Sequence, residues 1–329
     1  IAMDATLDAA SGLPTAATRL LDQRLLERAA AGFSSFEVVP VSPAQLPRAR
    51  YVLAGSLADV PDATAGGRRI RINLSLTDLR SGFVVAQSVA RVLAADVDTT
   101  PTRIARDSPS LTRDRVAEGH IRTSQTAAGT EADALYLERL PVAALVNEAV
   151  RHYEAGQYEQ ALRHYQAAAE RPDGQQLRVL NGLYLSHQQL GQADAAEAAF
   201  RRIVALGLAT NALSVKFLFR PSSTDFLPDP TISAPYALWL RAIGREAAQA
   251  GVCLSVIGHT SRTGSETFND RLSLQRAQSI QRRLEQTAPE LRGRMQSSGM
   301  GFRENLVGSG TDDLRDALDR RVDFRVVGC

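Results

Sequence analysis

The sequence predicts a multidomain α+β protein. Three observations predict it: one helix and several strand-like segments near the start, a repeated pair of helices in the middle, and strands that alternate with long amphipathic helices near the end. The length of 329 residues is enough for two or three domains. We expect a small α/β domain at 1–110, a linker with a possible short helix at 111–141, a helical-repeat module at 142–209 and an α/β sandwich at 213–329.

Composition and charge exclude several classes of protein. The formal net charge of +2 provides no strong field for a polyanion, and the arginines form no block with interleaved aromatic residues. We therefore expect no nucleic-acid partner. No run of about 18 apolar residues occurs, so we expect no transmembrane helix. The chain begins at Ile1 and not at a methionine, so we expect any membrane association to depend on an anchor upstream of this sequence.

The first 110 residues read as a helix followed by a sheet. Residues 15–31 have the period of an amphipathic helix that Thr15 can cap. Strand-like segments follow at 36–41, 50–57, 69–78 and 83–93. In the third segment the apolar residues Ile70, Ile72, Leu74 and Leu76 alternate with the polar residues Arg71, Asn73, Ser75 and Thr77. This alternation predicts a sheet with its polar face in water.

Two further features belong to this region. The segment YVLAGSL at 51–57 and the hairpin after it resemble envelope domains of the FlgO, CsgG and LpoB type. The resemblance implies contacts with other envelope proteins. Residues 95–134 are polar, and His120 within them has no partners at metal-ligand spacing. We expect neither a metal nor a catalytic role for His120.

A repeat with an offset of 35 residues follows. Residues 148–170 align with 183–205, and the matching pairs are Gly156 with Gly191, Ala161 with Ala196, and Tyr165 with Phe200. This pattern resembles a pair of tetratricopeptide repeats. The resemblance implies a concave helical surface that contacts peptides of envelope partners. Because two repeats seldom make a full groove, a spacer between flanking domains is an equally good interpretation.

The chain contains two cysteines. Cys253 opens one strand-like run and Cys329 ends another. If the two strands are antiparallel neighbours, the start of one lies beside the end of the other, and a disulfide is natural. Such a bond indicates an oxidising compartment. The alternative is two unrelated thiols.

The last third alternates strands and helices. Strands are expected at 214–219, 253–260, 295–301 and 320–327, and helices at 232–249 and 266–286. The second helix has an apolar stripe formed by Phe268, Leu272, Ile280 and Leu284, and Arg276 occupies a position in this series. A cation at an apolar position must be paired or must lie at a ligand site.

These residues resemble the OmpA-like peptidoglycan-associating domain over 213–329. The resemblance rests on GHTSRTG at 258–264, on Asn269, Leu272-Ser273 and Arg276-Ala277, on GMG at 299–301 and on DRRVDF at 319–324. It implies a domain that holds the stem peptide of peptidoglycan without hydrolysing it. In that family an aspartate after the His-Thr pair takes the ammonium of diaminopimelate, and the helix arginine fifteen residues later takes its carboxylate. Here the arginine is Arg276, and Ser261 stands in place of the aspartate.

A second departure makes the expected pocket more positive. The family has an acidic residue and an asparagine near the end of its first strand, where this sequence has Leu218 and Arg220. The resemblance and these departures give the expected ligand-binding residues: Thr260, Ser261, Arg262, Asn269, Leu272, Arg276, Arg220 and Arg320, with Arg321 as an alternative to Arg320. If Arg220 and Arg262 instead face solvent, Arg276 alone carries the charge.

The sequence presents no nucleophile with a base, no metal-ligand spacing and no phosphate loop, so we expect neither catalysis nor a cofactor. The favoured function is a non-catalytic protein of a Gram-negative-type periplasm that binds peptidoglycan and anchors an envelope assembly at the inner or outer membrane. The alternative is an interaction scaffold whose pocket has lost diaminopimelate and takes another anion. We expect that anion to be held by Arg276 together with amides at the start of its helix, near Ser265 and Glu266.

Overall fold

The computed structural model describes residues 1–33, 35–62, 67–306, 310 and 315–329. The chain divides into two compact units. Unit one comprises Ile1–Asp107 and Thr112–Leu190, and unit two comprises Ser108–Leu111 and Gly191–Cys329. Each unit contains both helices and strands, so the α+β class is confirmed. Among the described residues, no helix is both long and apolar enough to cross a membrane.

Unit one combines one sheet with seven helices among its described residues. The strands are β1 (Ala2–Met3), β2 (Leu7–Asp8), β3 (Val39–Pro40), β4 (Tyr51–Asp62), β5 (Gly67–Asp78) and β6 (Val84–Leu93). The helices are α1 (Ala16–Gly32), α2 (Arg103–Asp107), α3 (Arg115–Gln125), α4 (Ala134–Glu138), α5 (Leu140–Glu154), α6 (Tyr158–Glu170) and α7 (Leu177–Gln189). The strand order is β3-β1-β4-β5-β6, and β2 also pairs with β4. The pairs formed by β1 and β2 are parallel, and the meander of β4, β5 and β6 is antiparallel.

The predicted helix at 15–31 is α1, and Thr15 caps it. Thr15 and Thr18 form a reciprocal capping box, in which each side chain accepts a hydrogen bond from the backbone N–H of the other residue. This arrangement satisfies two of the backbone donors that a helix start leaves without partners.

The polar face of β5 is not in water, which corrects the prediction from the alternating pattern. Asn73, Ser75 and Thr77 are all buried, whereas the apolar residues between them are only half-buried. Helix α3 packs against β4 and β5. The Ser75 hydroxyl donates to the carbonyl of Thr123 on α3 at 2.7 Å, and the Asn73 amide donates to Ser56 Oγ at 3.3 Å. Asn73 and Ser75 are compatible with burial here because their side chains bond to a neighbouring side chain and to the helix backbone.

Residues 112–141, which lie in the predicted linker with a possible short helix, belong to unit one. Asp114 caps α3 by accepting from the backbone N–H groups of Val116 and Ala117. On the buried face of α3, His120 Nδ1 lies 3.1 Å from Asp4 Oδ2, and its Nε2 lies 2.9 Å from the Gly55 carbonyl oxygen. Both ring nitrogens of His120 therefore contact protein acceptors.

Helices α5, α6 and α7 pack in succession within unit one. Gly156 turns the chain between α5 and α6 with φ +74°, a left-handed conformation that favours glycine. Gly182 on α7 lies directly against the ring of Tyr165, so any side chain at this position would overlap that ring. Of the residues matched in the repeat, Gly156 thus occupies a turn, and Tyr165 occupies a close contact between two helices. The resemblance to tetratricopeptide repeats and the domain boundaries drawn from it stay predictions.

Unit two contains four helices and four strands among its described residues. They are, in chain order, α8 (Ala193–Ala209), β7 (Leu213–Val215), α9 (Pro230–Ser233), α10 (Tyr236–Ala250), β8 (Cys253–Gly258), α11 (Glu266–Thr287), β9 (Met295–Gly299) and β10 (Val322–Val327). Phe200 on α8 stacks on Trp239 of α10 with ring centroids 5.5 Å apart. Leu272, Ile280 and Leu284 are buried as predicted, but Phe268 is exposed because it lies in the first turn of α11.

Cys253 and Cys329 form a disulfide with a Cα–Cα distance of 5.3 Å. The strand pairing explains it, because β8 and β10 are antiparallel and Cys253 pairs with Val327. The sequence prediction is therefore confirmed.

We predict that the double variant Cys253→Ser, Cys329→Ser is less stable to unfolding by about 4 to 5 kcal/mol, because the bond closes a loop with a sequence separation of 76. Urea unfolding of the oxidised native protein and the variant measures the difference. Reduced native protein is the control and should behave like the variant. Equal free energies of unfolding would show that the crosslink does not restrict the unfolded chain.

Candidate functional site

Three chain segments leave the sheet of unit two at the same edge. The strand order is β7-β10-β8-β9. Strands β8 and β9 are parallel, and Gly258 pairs with Gly299 at their carboxyl ends. Strand β10 is antiparallel to both β7 and β8, and its first residue, Val322, pairs with Val215 and Gly258. The segments 216–226, 259–265 and 300–306 therefore all start at this edge, which we call the carboxyl edge.

Helix α11 lies directly on the carboxyl edge because glycines occupy its contact points. A side chain at Gly258 would overlap the carbonyl of Ser273, and one at Gly299 would meet the backbone nitrogen of Leu274. The Ser273 hydroxyl accepts a hydrogen bond from the Gly301 backbone N–H at 2.9 Å. The helix and the segment after β9 are thus fixed against each other.

Arg276 joins α11 to the segment after β7. Its side chain is 4% exposed. Nε donates to the carbonyl of Ser223 and Nη2 to the carbonyl of Arg220, both at 3.1 Å. The guanidinium carbon lies 4.9 Å from the centre of the Phe219 ring. The cation in the apolar series of the helix is therefore paired with backbone carbonyls, as its burial requires.

Segment 259–265 brings two predicted residues to the carboxyl edge. Thr260 is buried, its backbone N–H donates to the Gly301 carbonyl at 2.9 Å, and its Oγ1 is buried without a hydrogen-bond partner. Ser261 is 7% exposed. Asn269 holds the end of the segment, because its side-chain amide donates to the carbonyls of Thr263 and Ser265 at 2.9 and 3.0 Å. We conclude that Asn269 positions this segment.

The other predicted residues divide by exposure. Leu272 is buried in α11, the side chains of Arg262 and Arg220 are exposed, and Arg320 is half-buried. Arg220 takes part in the site through its carbonyl, which accepts from Arg276. The arrangement thus places the cation of Arg276 in a buried position and the charges of Arg220 and Arg262 in water, where they are screened.

A buried polar cluster at the carboxyl edge was missed from sequence. Asp323 accepts from the Ser214 hydroxyl at 2.6 Å and from Arg321 Nε at 3.2 Å, and its Oδ2 lies 3.0 Å from His259 Nε2. Burial alone would raise the pKa of Asp323, but the bond to His259 and the charge of Arg321 lower this pKa to about 2. Arg321 Nε is therefore tied to Asp323, and the expected place of Arg321 beside the ligand stays a prediction. The signal was present in the motif DRRVDF, but its partner Ser214 lies 109 residues away.

Several polar atoms close to this cluster lack partners. Arg321 Nη1 and both side-chain amide atoms of Asn305 are buried without hydrogen bonds, as is Thr260 Oγ1. Their segments are neighbours, because Arg321 Nη2 donates to the Glu304 carbonyl and the Arg321 carbonyl accepts from the His259 N–H. Unpaired buried donors and acceptors are costly in a folded protein. Each such atom in a native structure needs an explanation.

Two groups among the described residues combine side chains that can ligate a metal within 4.8 Å of one another: His259, Glu304 and Asp323, and Glu148, His152 and His164. In the first group Asp323 already bonds to Arg321 and Ser214. In the second group Arg151 pairs with Glu148, and Gln157 Oε1 lies 2.6 Å from His152 Nδ1. Protein partners thus compete with a metal for both groups.

The family of the C-terminal region follows from a direct match. Residues 218–317 match the model of the OmpA family. This region is an OmpA-family domain. The match includes the segment after β7, the segment after β8 and α11, and hence Arg276 and Ser261.

Solved structures similar to part of this chain include the peptidoglycan-associated lipoprotein from Burkholderia pseudomallei. It is 21% identical, with 35% of this chain and 89% of that chain covered and a TM-score of 0.29. The cell wall anchor of the T6SS from Pseudomonas aeruginosa is 20% identical, with 36% and 80% covered and a TM-score of 0.29. A putative MotB-like protein from Desulfovibrio vulgaris is 17% identical, with 45% and 98% covered and a TM-score of 0.30. No curated protein matches the chain.

We predict that Asp323→Asn lowers the free energy of unfolding of unit two by about 3 kcal/mol at pH 7, because it leaves the buried charge of Arg321 without its counter-ion. The lowered pKa of Asp323 stabilises the folded state above about pH 4, and this contribution disappears as the pH falls toward 2.

Urea unfolding of the native protein and the variant at pH 7 and pH 3 measures both effects, and the difference should be smaller at pH 3. Asp270→Asn is the control, because the pair of Asp270 with Arg303 is exposed and should contribute at most about 1 kcal/mol. An Asp323→Asn effect no larger than that of the control would contradict the ion-pair account.

Proposed function

We propose that the OmpA-family domain holds the stem peptide of peptidoglycan at its carboxyl edge and so attaches an envelope assembly to the wall without catalysis. The observation that carries the proposal is the buried guanidinium of Arg276, held between segment 216–226 and α11 at this edge. The resemblance of the domain assigns the carboxylate of diaminopimelate to this arginine. A cation fixed in position before the ligand arrives binds at a lower entropic cost than a flexible one.

The buried polar atoms without partners at the carboxyl edge also support the proposal that the ligand binds there. Arg321 Nη1 can donate to a peptide carbonyl or carboxylate, and Thr260 Oγ1 can donate or accept. A stem peptide offers both kinds of group along its backbone. Binding would therefore satisfy atoms that the chain leaves unpaired.

The ammonium of diaminopimelate has no carboxylate at position 261. The nearest acids along α11 are Glu266 and Asp270, and Arg303 Nη1 lies 3.6 Å from the first and 2.6 Å from the second. Their charges are thus partly neutralised. We infer that this domain binds the zwitterionic centre more weakly than a domain with aspartate at position 261, because a charge-assisted bond is absent.

The alternative function, an interaction scaffold that takes another anion, is favoured by one observation. Arg276 already donates two hydrogen bonds to backbone carbonyls, and Ser261 adds no negative charge to the site. Such an anion would contact Arg276 but not the start of α11. Glu266 and Arg276 are ten residues apart on one helix, which corresponds to roughly 15 Å along its axis. The expected joint site of Arg276 and the helix N-terminus is therefore not part of this proposal.

We also propose a cellular compartment, protein partners and a mode of membrane attachment. A disulfide that closes the domain suits an oxidising compartment, so we place the protein in the periplasm of a Gram-negative-type envelope. We assign contacts with other envelope proteins to unit one, through its helix pairs and its sheet. Membrane attachment would depend on an anchor outside this sequence.

We predict that native protein sediments with purified sacculi and that Arg276→Ala reduces the bound fraction, with an apparent affinity at least tenfold lower. Arg283→Ala is the matched control. Arg283 is on the same helix, and its guanidinium lies 4.5 Å from the centre of the Phe226 ring, much as Arg276 lies over Phe219. Thermal melting of both variants tests folding. Equal binding by native protein and Arg276→Ala would favour the scaffold function.

We predict that Ser261→Asp binds meso-diaminopimelate about ten- to a hundredfold more tightly than native protein, because the new carboxylate pairs with the ammonium. Isothermal titration calorimetry measures both affinities, and Ser261→Asn, which adds similar volume without charge, is the control. If native protein binds as tightly as Ser261→Asp, another acid already takes the ammonium.

A further inference from the structure

Unit one contains a cavity of about 550 Å³ between α1 and helices α5, α6 and α7. This volume is within the range of pockets that bind small molecules. Its walls are mostly aliphatic and include Met3, Leu13, Leu26, Ile104, Val146 and Val150. Every one of these residues lies in unit one, so the cavity is independent of the OmpA-family domain.

Two polar atoms in the wall of the cavity lack partners. Asn181 is 2% exposed, and its Oδ1 is buried without a hydrogen bond. Arg178 Nε donates to Gln176 Oε1 at 2.9 Å, but its Nη2 is buried without a partner. The two residues are three positions apart on α7 and thus share one helix face. Among the described residues, the wall of the cavity therefore includes a guanidinium nitrogen and an amide oxygen without hydrogen-bond partners on one face of α7.

Three other polar residues of the wall are engaged with the protein. The Asn147 side chain donates to Asp4 Oδ1 at 2.8 Å. Asp22 accepts from both the backbone N–H and the hydroxyl of Thr6. Arg19 lies 3.8 Å from a carboxylate oxygen of Glu154. The unpaired polar function of the wall is therefore concentrated at Arg178 and Asn181.

We propose that this cavity binds a single-chain amphiphile of the N-acyl amino acid class. The acyl chain would pack against the aliphatic walls, the carboxylate would accept from Arg178 Nη2, and the amide N–H would donate to Asn181 Oδ1. An acyl chain with this polar end supplies an anionic acceptor and a neutral donor, separated by one carbon atom, for the two unpaired atoms of the wall. A simple hydrocarbon would leave both protein atoms unpaired, and a simple fatty acid at neutral pH would leave Asn181 unpaired.

Calorimetric titration of N-dodecanoylglycine, below its micelle concentration, into the full chain tests the proposal. Native protein should bind the compound, and its methyl ester should bind at least tenfold more weakly because the anionic oxygen is lost. Arg178→Gln should bind N-dodecanoylglycine at least tenfold more weakly and should discriminate little between acid and ester. Arg163→Gln is the matched control, since Arg163 is exposed on α6 and outside the cavity wall.

Leu26→Trp offers a second variant, because Leu26 is a half-buried wall residue on α1 and a larger side chain there narrows the cavity. It should weaken binding of the acid and the ester alike. The comparison of acid with ester on native protein requires no variant and stands even if a variant fails to fold. Failure of native protein to bind N-dodecanoylglycine, or equal binding of acid and ester, would overturn the proposal.

Discussion

The burial of the Arg276 guanidinium is the constraint on which the candidate site depends. A buried cation is costly unless hydrogen bonds replace its hydration, and here the carbonyls of Arg220 and Ser223 provide two of them. The segment after β7 must therefore follow a path that aims these carbonyls at α11. The helix can reach the carboxyl edge because Gly258 and Gly299 leave room for its backbone. One charged side chain thus fixes the segment after β7 against α11.

In both units, the proposed ligand sites contain buried polar atoms without hydrogen-bond partners among the described residues. Asp323 in unit two and Asp4 in unit one each accept several hydrogen bonds, and both stabilise their cores. Thr260 Oγ1, Arg321 Nη1 and Arg178 Nη2 have no partners although they are buried. Native proteins rarely keep such atoms without a reason. A ligand that pairs with them provides a common physical reason, with a peptide at the carboxyl edge and an amphiphile in the cavity of unit one.

Local patterns in the sequence predict the elements well and their long-range partners poorly. The period of apolar residues gave α11 at 266–286, and the alternation of residues placed β5 at 69–78. The prediction placed the polar face of β5 in water, which is wrong. Asn73 and Ser75 alternate with apolar residues just as water-facing residues would, but α3, which is distant in sequence, packs over them and buries them. The pairing of Asp323 with Ser214 and of Arg276 with backbone carbonyls likewise depends on the tertiary fold. Sequence could indicate that Arg276 needs a partner but could not identify it.

The most direct test of the central claim is a crystal structure of the full chain with a stem tripeptide that ends in meso-diaminopimelate. The account predicts the diaminopimelate carboxylate within hydrogen-bond distance of the Arg276 guanidinium, about 2.7–3.2 Å, with the peptide lying across the carboxyl edge beside Thr260 and Ser261. A tripeptide bound away from this edge, or at the edge without contact to Arg276, would contradict it.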